Sequence, residues 1–153
     1  GSGPRAGPIG RPQTARARGW VTDRGGGRPA VTPFRTLVRF EAGGTDDGYT
    51  LIECKLQTGR THQIRVHFAY IQHPLVGDPL YGRRRLKDDL GLTRQFLHSY
   101  SLGFDHPVTG EHHELTDPLP QDLAGALAGL SDRSDGRTPA GVEIVPVVMP
   151  ELR

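Results

Sequence analysis

The ten residues TGRTHQIRVH, Thr58 to His67, combine types that suit the binding of an anion. A glycine followed by a basic residue and a hydroxyl, at the end of a strand and the opening of a helix, offers free backbone N–H groups beside Arg60 and Thr61. That geometry holds phosphate. Arg65 lies five positions after Arg60 and off the face of Ile64 and Phe68, so its spacing turns it out of the core toward a cleft. Its guanidinium can make a two-bond fork to a carboxylate or phosphate, which lysine cannot reproduce. Other chemistries use the same residue types. His62, His67 and His73 cluster in the sequence, and His112 and His113 are adjacent, which raises metal ligation. Against it, the spacing of His62 and His67 puts them on different helical faces, and the glutamate base of the helical zinc pattern is missing. No serine or cysteine sits in a strained elbow, and Cys54 falls at a packed strand position. A purely structural helix start with solvated arginines also fits the motif taken alone.

Positioning these residues requires a strand before the motif and a helix through it. In VTPFRTLVRF, Phe34, Val38 and Phe40 fall on one side of an extended segment, with Arg35 and Arg39 on the other. The turn residues EAGGTDDG follow. YTLIECKLQ then alternates, with Ile52, Cys54 and Leu56 inward and Glu53, Lys55 and Gln57 outward, which predicts an antiparallel hairpin. Ile64, Phe68 and Ile71 share a helical face, Thr61 is the expected N-cap, and HPLVGDPLYG ends the helix. Within that breaker, Asp78 is expected to fix a turn with Tyr81 by accepting backbone N–H groups. GRRRLKDD reads as a surface loop. RQFLHSYSLGF and EHHELTDPL read as two further strands joined by DHPVTG, and PQDLAGALAGL as a short helix carrying Leu123, Leu127 and Leu130. Strand, strand, helix, strand, strand, helix predicts an α+β class, a mainly antiparallel mixed sheet with helices packed on one face.

A chain of 153 residues is about one domain, but its 21 glycines and 13 prolines concentrate toward both ends. Composition therefore divides it into a basic, mostly irregular arm over 1–29, with a short strand near Trp20 and Val21, a packed part over 30–130, and a disordered tail over 131–153. Residues 1–40 carry eight arginines against one acid, Asp23, a balance of +7, and the remainder carries −5. Such polarity points to a polyanionic partner, nucleic acid first, with a solvated arm as the alternative. No run of eighteen apolar residues and no apolar leader occur, so no membrane association is expected. The single cysteine fits a reducing cytoplasm.

The stretch LQTGRTHQIRVHFAYIQHPLVGDPLYG resembles the most diagnostic segment of the RluA-type RNA pseudouridine synthases, which carry Thr-Gly-Arg-Thr-His-Gln-Ile-Arg-Val-His, then His-Pro-Leu-Val-Gly-Asp and Tyr-Gly. The likeness extends to GRPAVTPFRTLVRF upstream and to FLHSYSLGFDHPVTGE and DPLPQDL downstream. The resemblance implies an isomerase that converts uridine to pseudouridine in structured RNA, ribosomal or transfer RNA, without metal or organic cofactor. It gives Arg65 the role of pairing with a catalytic aspartate. Arg60, Thr61, His62 and Gln63 would shape the adjoining RNA-facing wall, and Leu97 would lie beneath the target base; an ordinary core role for Leu97 fits equally. The family's His-Arg-Leu-Asp and Tyr-x-Ala segments do not occur in this sequence. The expectation is thus the C-terminal half of a catalytic domain, with Arg65 lacking its carboxylate and a sheet edge open to association. A non-catalytic RNA-binding module of the same fold is the alternative.

Overall fold

The computed structural model describes residues 18–22, 30–56, 62–82 and 89–151. Along the chain run β1 (Arg18–Thr22), β2 (Val31–Phe40), β3 (Tyr49–Cys54), α1 (Gln63–Tyr70), β4 (Ser101–Asp105), β5 (His112–Thr116), α2 (Gln121–Ala128), β6 (Ser134–Arg137) and α3 (Pro139–Val148). The class is α+β, and every described strand pairing is antiparallel.

β2 is the centre of the sheet. β3 pairs along one edge, from Phe34–Cys54 to Phe40–Tyr49. β1 takes the first half of the opposite edge, over residues 31–35, and β6 takes the second half at Val38 and Phe40. The β2–β3 turn closes because the Asp46 carboxylate accepts N–H bonds from Gly43 (3.1 Å) and Gly48 (2.8 Å), with Gly48 at φ 93°. The register shifts between Thr36 and Val38, so Leu37 is an extra residue in β2.

That bulge divides the core. Directly paired residues share a face, so Phe34 with Cys54 and Thr36 with Ile52 point one way, whereas Val38 with Leu51 and Phe40 with Tyr49 point the other. On the first side, α1 contributes Phe68, and Ile71 follows it, to a cluster with Val21 and Phe34. On the second, α2 and α3 pack Leu127, Ile144, Val145 and Val148 against Leu37, Val38 and Phe40. The helices thus form two clusters, where the strand alternation alone implied a single shared face.

The segment from residue 131, expected as a disordered tail, is built into the fold. β6 joins the sheet, and Val145 is fully buried. α3 begins with a side-chain cap: the Thr138 hydroxyl accepts from Gly141 N (3.0 Å) and donates to Thr36 O, and Pro139 occupies the first turn. Gly141 lies so close to β2 that a Cβ there meets Leu37 O at 2.1 Å. Because both partners are backbone, neither can step aside. Gly141→Ala is expected to destabilise the protein by about 3 kcal/mol in urea titration. Gly125→Ala, in mid-α2 with open space around it, is expected to stabilise by about 0.5–1 kcal/mol.

The second hairpin is shorter than its hydrophobic pattern. β4 starts at Ser101: one further bond, Asp117 N to Tyr100 O (2.7 Å), extends the pairing, while Phe96 N donates instead to Val76 O (2.7 Å). Among the described residues β4 and β5 pair only with each other. Pro120 is the N-cap of α2, directly before its first turn. No helix among the described residues is long and apolar enough to cross a membrane.

Candidate active site around Arg65

α1 opens at His62, which takes φ 66°, a left-handed conformation uncommon for a residue with a side chain. His62 occupies the cap position expected for Thr61. Thr61 and Arg60 lie outside the described residues. The His62 ring meets Tyr81 edge to face at 6.0 Å, with Nδ1 3.5 Å from the Tyr81 hydroxyl.

The helix then sends its polar side chains in different directions. Gln63 and His67 turn inward onto β2. The Gln63 amide donates to Val31 O (3.0 Å) and Thr32 Oγ1 (3.1 Å), while His67 Nδ1 lies 2.7 Å from the same hydroxyl. Both side chains are buried, so Gln63 fastens α1 to the sheet where the resemblance suggests an RNA-facing wall. The histidines that raised a metal site are separated accordingly: His62 stands beside Tyr81 and His67 is enclosed with Thr32.

Arg65 has its carboxylate within the chain. Its Nε donates to Asp78 Oδ2 (2.9 Å) and its Nη2 to Asp78 Oδ1 (2.6 Å), with side-chain exposures of 9% and 0%. This corrects the expectation of an arginine that faces a cleft unpaired. The sequence reading of Asp78 as a turn residue is right, since Oδ1 accepts from Leu80 N (3.0 Å) and Tyr81 N (3.1 Å), but incomplete, because the same carboxylate also grips Arg65. The Arg65 fork, aided by these N–H groups, holds the Asp78 carboxyl at about 2, against burial, which pushes it up from 3.8. The Tyr81 ring completes the enclosure, 5.2 Å from the guanidinium carbon.

Two glycines explain how the turn returns to α1. Gly77 has φ 74°, and a Cβ on it meets Arg94 O at 2.3 Å; a Cβ on Gly82 meets Asp78 O at 2.2 Å. Both positions sit against backbone, so GDPLYG closes tightly around Asp78. Beyond Asp78 opens a cleft of about 1480 Å³, lined among others by His73, Asp78, Leu92 and Leu97. Leu97 is half-buried there. Arg65 is not in that lining and communicates with the cleft through Asp78.

Sequence reasoning missed a second charged cluster on the cleft wall. Glu53, expected outward, has a side chain only 1% exposed; Arg35 Nε donates to its Oε1 (2.7 Å) and the Tyr100 hydroxyl donates to its Oε2. Burial, reinforced by the carboxylate, pushes the Tyr100 hydroxyl up. Arg35 and Glu53 are direct cross-strand partners, so their opposite charges at matched hairpin positions were the available signal.

Residues 11–70 match the family described as RNA pseudouridylate synthase. The chain is 50% identical over 123 residues to an uncharacterized RNA pseudouridine synthase of Bacillus subtilis, covering 80% of this chain and 37% of that protein. It is 48% identical over 127 residues to an uncharacterized RNA pseudouridine synthase of Chloroflexus aurantiacus, covering 83% and 37%. Against the ribosomal large subunit pseudouridine synthase D of Vibrio parahaemolyticus the identity is 42% over 133 residues, covering 80% and 38%. The chain thus spans a little over a third of the length of these curated relatives. A match to four-fifths of this chain necessarily runs through its middle, including the helix with Arg65 and the turn with Asp78. By the motif it carries there and the relatives that share the stretch, the chain belongs to the RluA-type RNA pseudouridine synthase family.

Proposed function

We propose that this chain supplies part of the active site of an enzyme that isomerises uridine to pseudouridine in structured RNA, ribosomal RNA first and transfer RNA second. The observation that carries the reading is the guanidinium of Arg65, held rigid at the start of α1 by a two-bond fork and bordering a large cleft through its partner. In the reaction the N1–C1′ bond of a flipped-out uridine breaks with its electron pair going to N1, the uracil turns, C5 joins C1′, and the proton lost from C5 is balanced by one taken up at N1. A carboxylate takes part in detaching the base, and Arg65 keeps that carboxylate ionised and oriented. The aspartate belongs to a His-Arg-Leu-Asp segment that this sequence does not contain. Leu97, on the cleft wall, is the apolar surface beneath the base, and His62, stacked edge to face on Tyr81, contributes to the RNA-facing wall. The basic first forty residues contact phosphates and orient the RNA without reading its sequence. Work on such RNA places the protein in the cytoplasm.

A non-catalytic RNA-binding role is favoured by one observation: Arg65 is already neutralised inside the chain. The two readings separate in one assay. RNA labelled with tritium at uridine C5 releases the label only if C5–C1′ bonding occurs. The full-length protein is expected to release tritium, and Arg65→Ala to lower the rate by roughly 10²–10³-fold with little change in RNA affinity. Tight RNA binding without release in the unsubstituted protein establishes the binding module instead.

A further inference from the structure

We propose that Asp78 is a positioning residue: it holds Arg65 by the Nε–Nη2 edge and thereby presents the Nη1 end of the guanidinium to a second carboxylate. The inference rests on the isomerase reading and extends it to a residue with no assigned role. An arginine fork has two edges that can grip a carboxylate, and Asp78 occupies the side edge with both oxygens. Nε and Nη2 are taken by Asp78, and Nη1 makes no hydrogen bond to a described residue. The Arg65 side chain keeps 9% exposure. An otherwise enclosed cation thus has one nitrogen with no bond to a described residue.

Asp78 is well built for holding. Its Oδ1 is fixed by Leu80 N and Tyr81 N as well as by Arg65, and Gly77 and Gly82 lock the turn around it. The other titratable groups facing Arg65 among the described residues are Tyr81, across the guanidinium face, and His62, which bonds Tyr81. Electrostatics sharpens the consequence. Two carboxylates sharing one guanidinium carry a net negative charge, so Asp78 raises the ionisation range of the second carboxylate while it fixes the cation. Positioning and charge act in opposite directions.

Asp78→Asn separates them, because Asn keeps an oxygen for the Leu80 and Tyr81 N–H groups yet loses the charge and the fork. In the full-length protein the variant is expected to lose roughly 10²-fold in kcat, with a smaller change in KM. The acid limb of its pH–rate profile is expected to move to lower pH. An unchanged profile and a kcat within twofold of the unsubstituted protein overturn the proposal and leave Asp78 a turn residue only. A readout independent of turnover is the solvent exchange of the Arg65 Nε proton, followed by NMR in the unsubstituted protein. Exchange much slower than that of a free guanidinium at neutral pH, with this protection lost as Asp78 protonates in acid, supports the held guanidinium, whereas an unprotected Nε proton at neutral pH sinks it. Absence of turnover in the unsubstituted protein defeats the isomerase reading alone, and the exchange measurement then decides the geometry, including for an Asn variant that fails to fold.

Discussion

Deleting residues 131–153 is expected to abolish cooperative folding. The deletion removes β6 from the sheet and takes Ile144, Val145, Val148 and Met149 out of the larger core cluster. Burying a side chain of this size contributes about 1.5–3 kcal/mol, so these four account for roughly 6–12 kcal/mol, an upper estimate because the unfolded chain is itself partly compact. A domain of this size is stable by only about 5–15 kcal/mol in total. The loss therefore matches the whole stability. Further costs follow, since Leu37, Val38 and Phe40 become exposed and the Thr36 carbonyl loses the Thr138 hydroxyl. Circular dichroism during heating should show no sigmoidal transition in the shortened chain. A transition retained within a few degrees of the full chain would mean that α3 only rests on the surface.

The second large effect concerns Asp78. Its folded-state value of about 2 lies below the ordinary 3.8, so the group stabilises the fold above pH 3.8 and the contribution fades as pH falls through 2. The difference is worth about 2 kcal/mol for Asp78. Asp78→Ala should cost about 3 kcal/mol at neutral pH, more than the titration accounts for, because the partner cation is then left enclosed without a counter-charge. Urea midpoints measured between pH 2 and 7 check both parts: the unsubstituted protein should weaken toward pH 2, while the variant should be weaker at pH 7 and flatter across the acid range. A neutral-pH loss below about 1 kcal/mol would mean that the pair behaves like a solvated surface bridge.

The parts of this molecule that were legible in advance are those where one local pattern acts alone. The β2–β3 hairpin follows from apolar alternation on either side of a turn rich in glycine and aspartate, and the α1 core face from Ile64, Phe68 and Ile71. The bulge at Leu37 was not legible, because an extra residue in a run of apolar side chains leaves the run looking continuous. It decides which face Val38 and Phe40 take, and with it where α2 and α3 pack. Glycine and proline in the last segment suggested disorder, yet Thr138, Pro139 and Gly141 are there as a cap, a first-turn residue and a close contact. The apolar spacing of Ile144, Val145 and Val148 was the signal to weigh against composition. At the site, charge types identified Arg65 correctly as a fork-forming residue. Its partner could not be read from spacing, because Asp78 reaches it by way of a turn whose closure depends on Gly77 and Gly82 fitting against backbone.

The edge of β2 that receives β6 implies an order of events during synthesis. Thr138 and Thr36 are 102 positions apart, and at roughly 5–20 residues per second a ribosome needs about 5–20 s to make the intervening polypeptide. For that interval the newborn central strand has half of one margin unsatisfied and its apolar side chains uncovered, the condition in which nascent sheets stick to one another. Closing that margin is consequently a late, long-range step of folding, which local pairing of the earlier strands cannot replace.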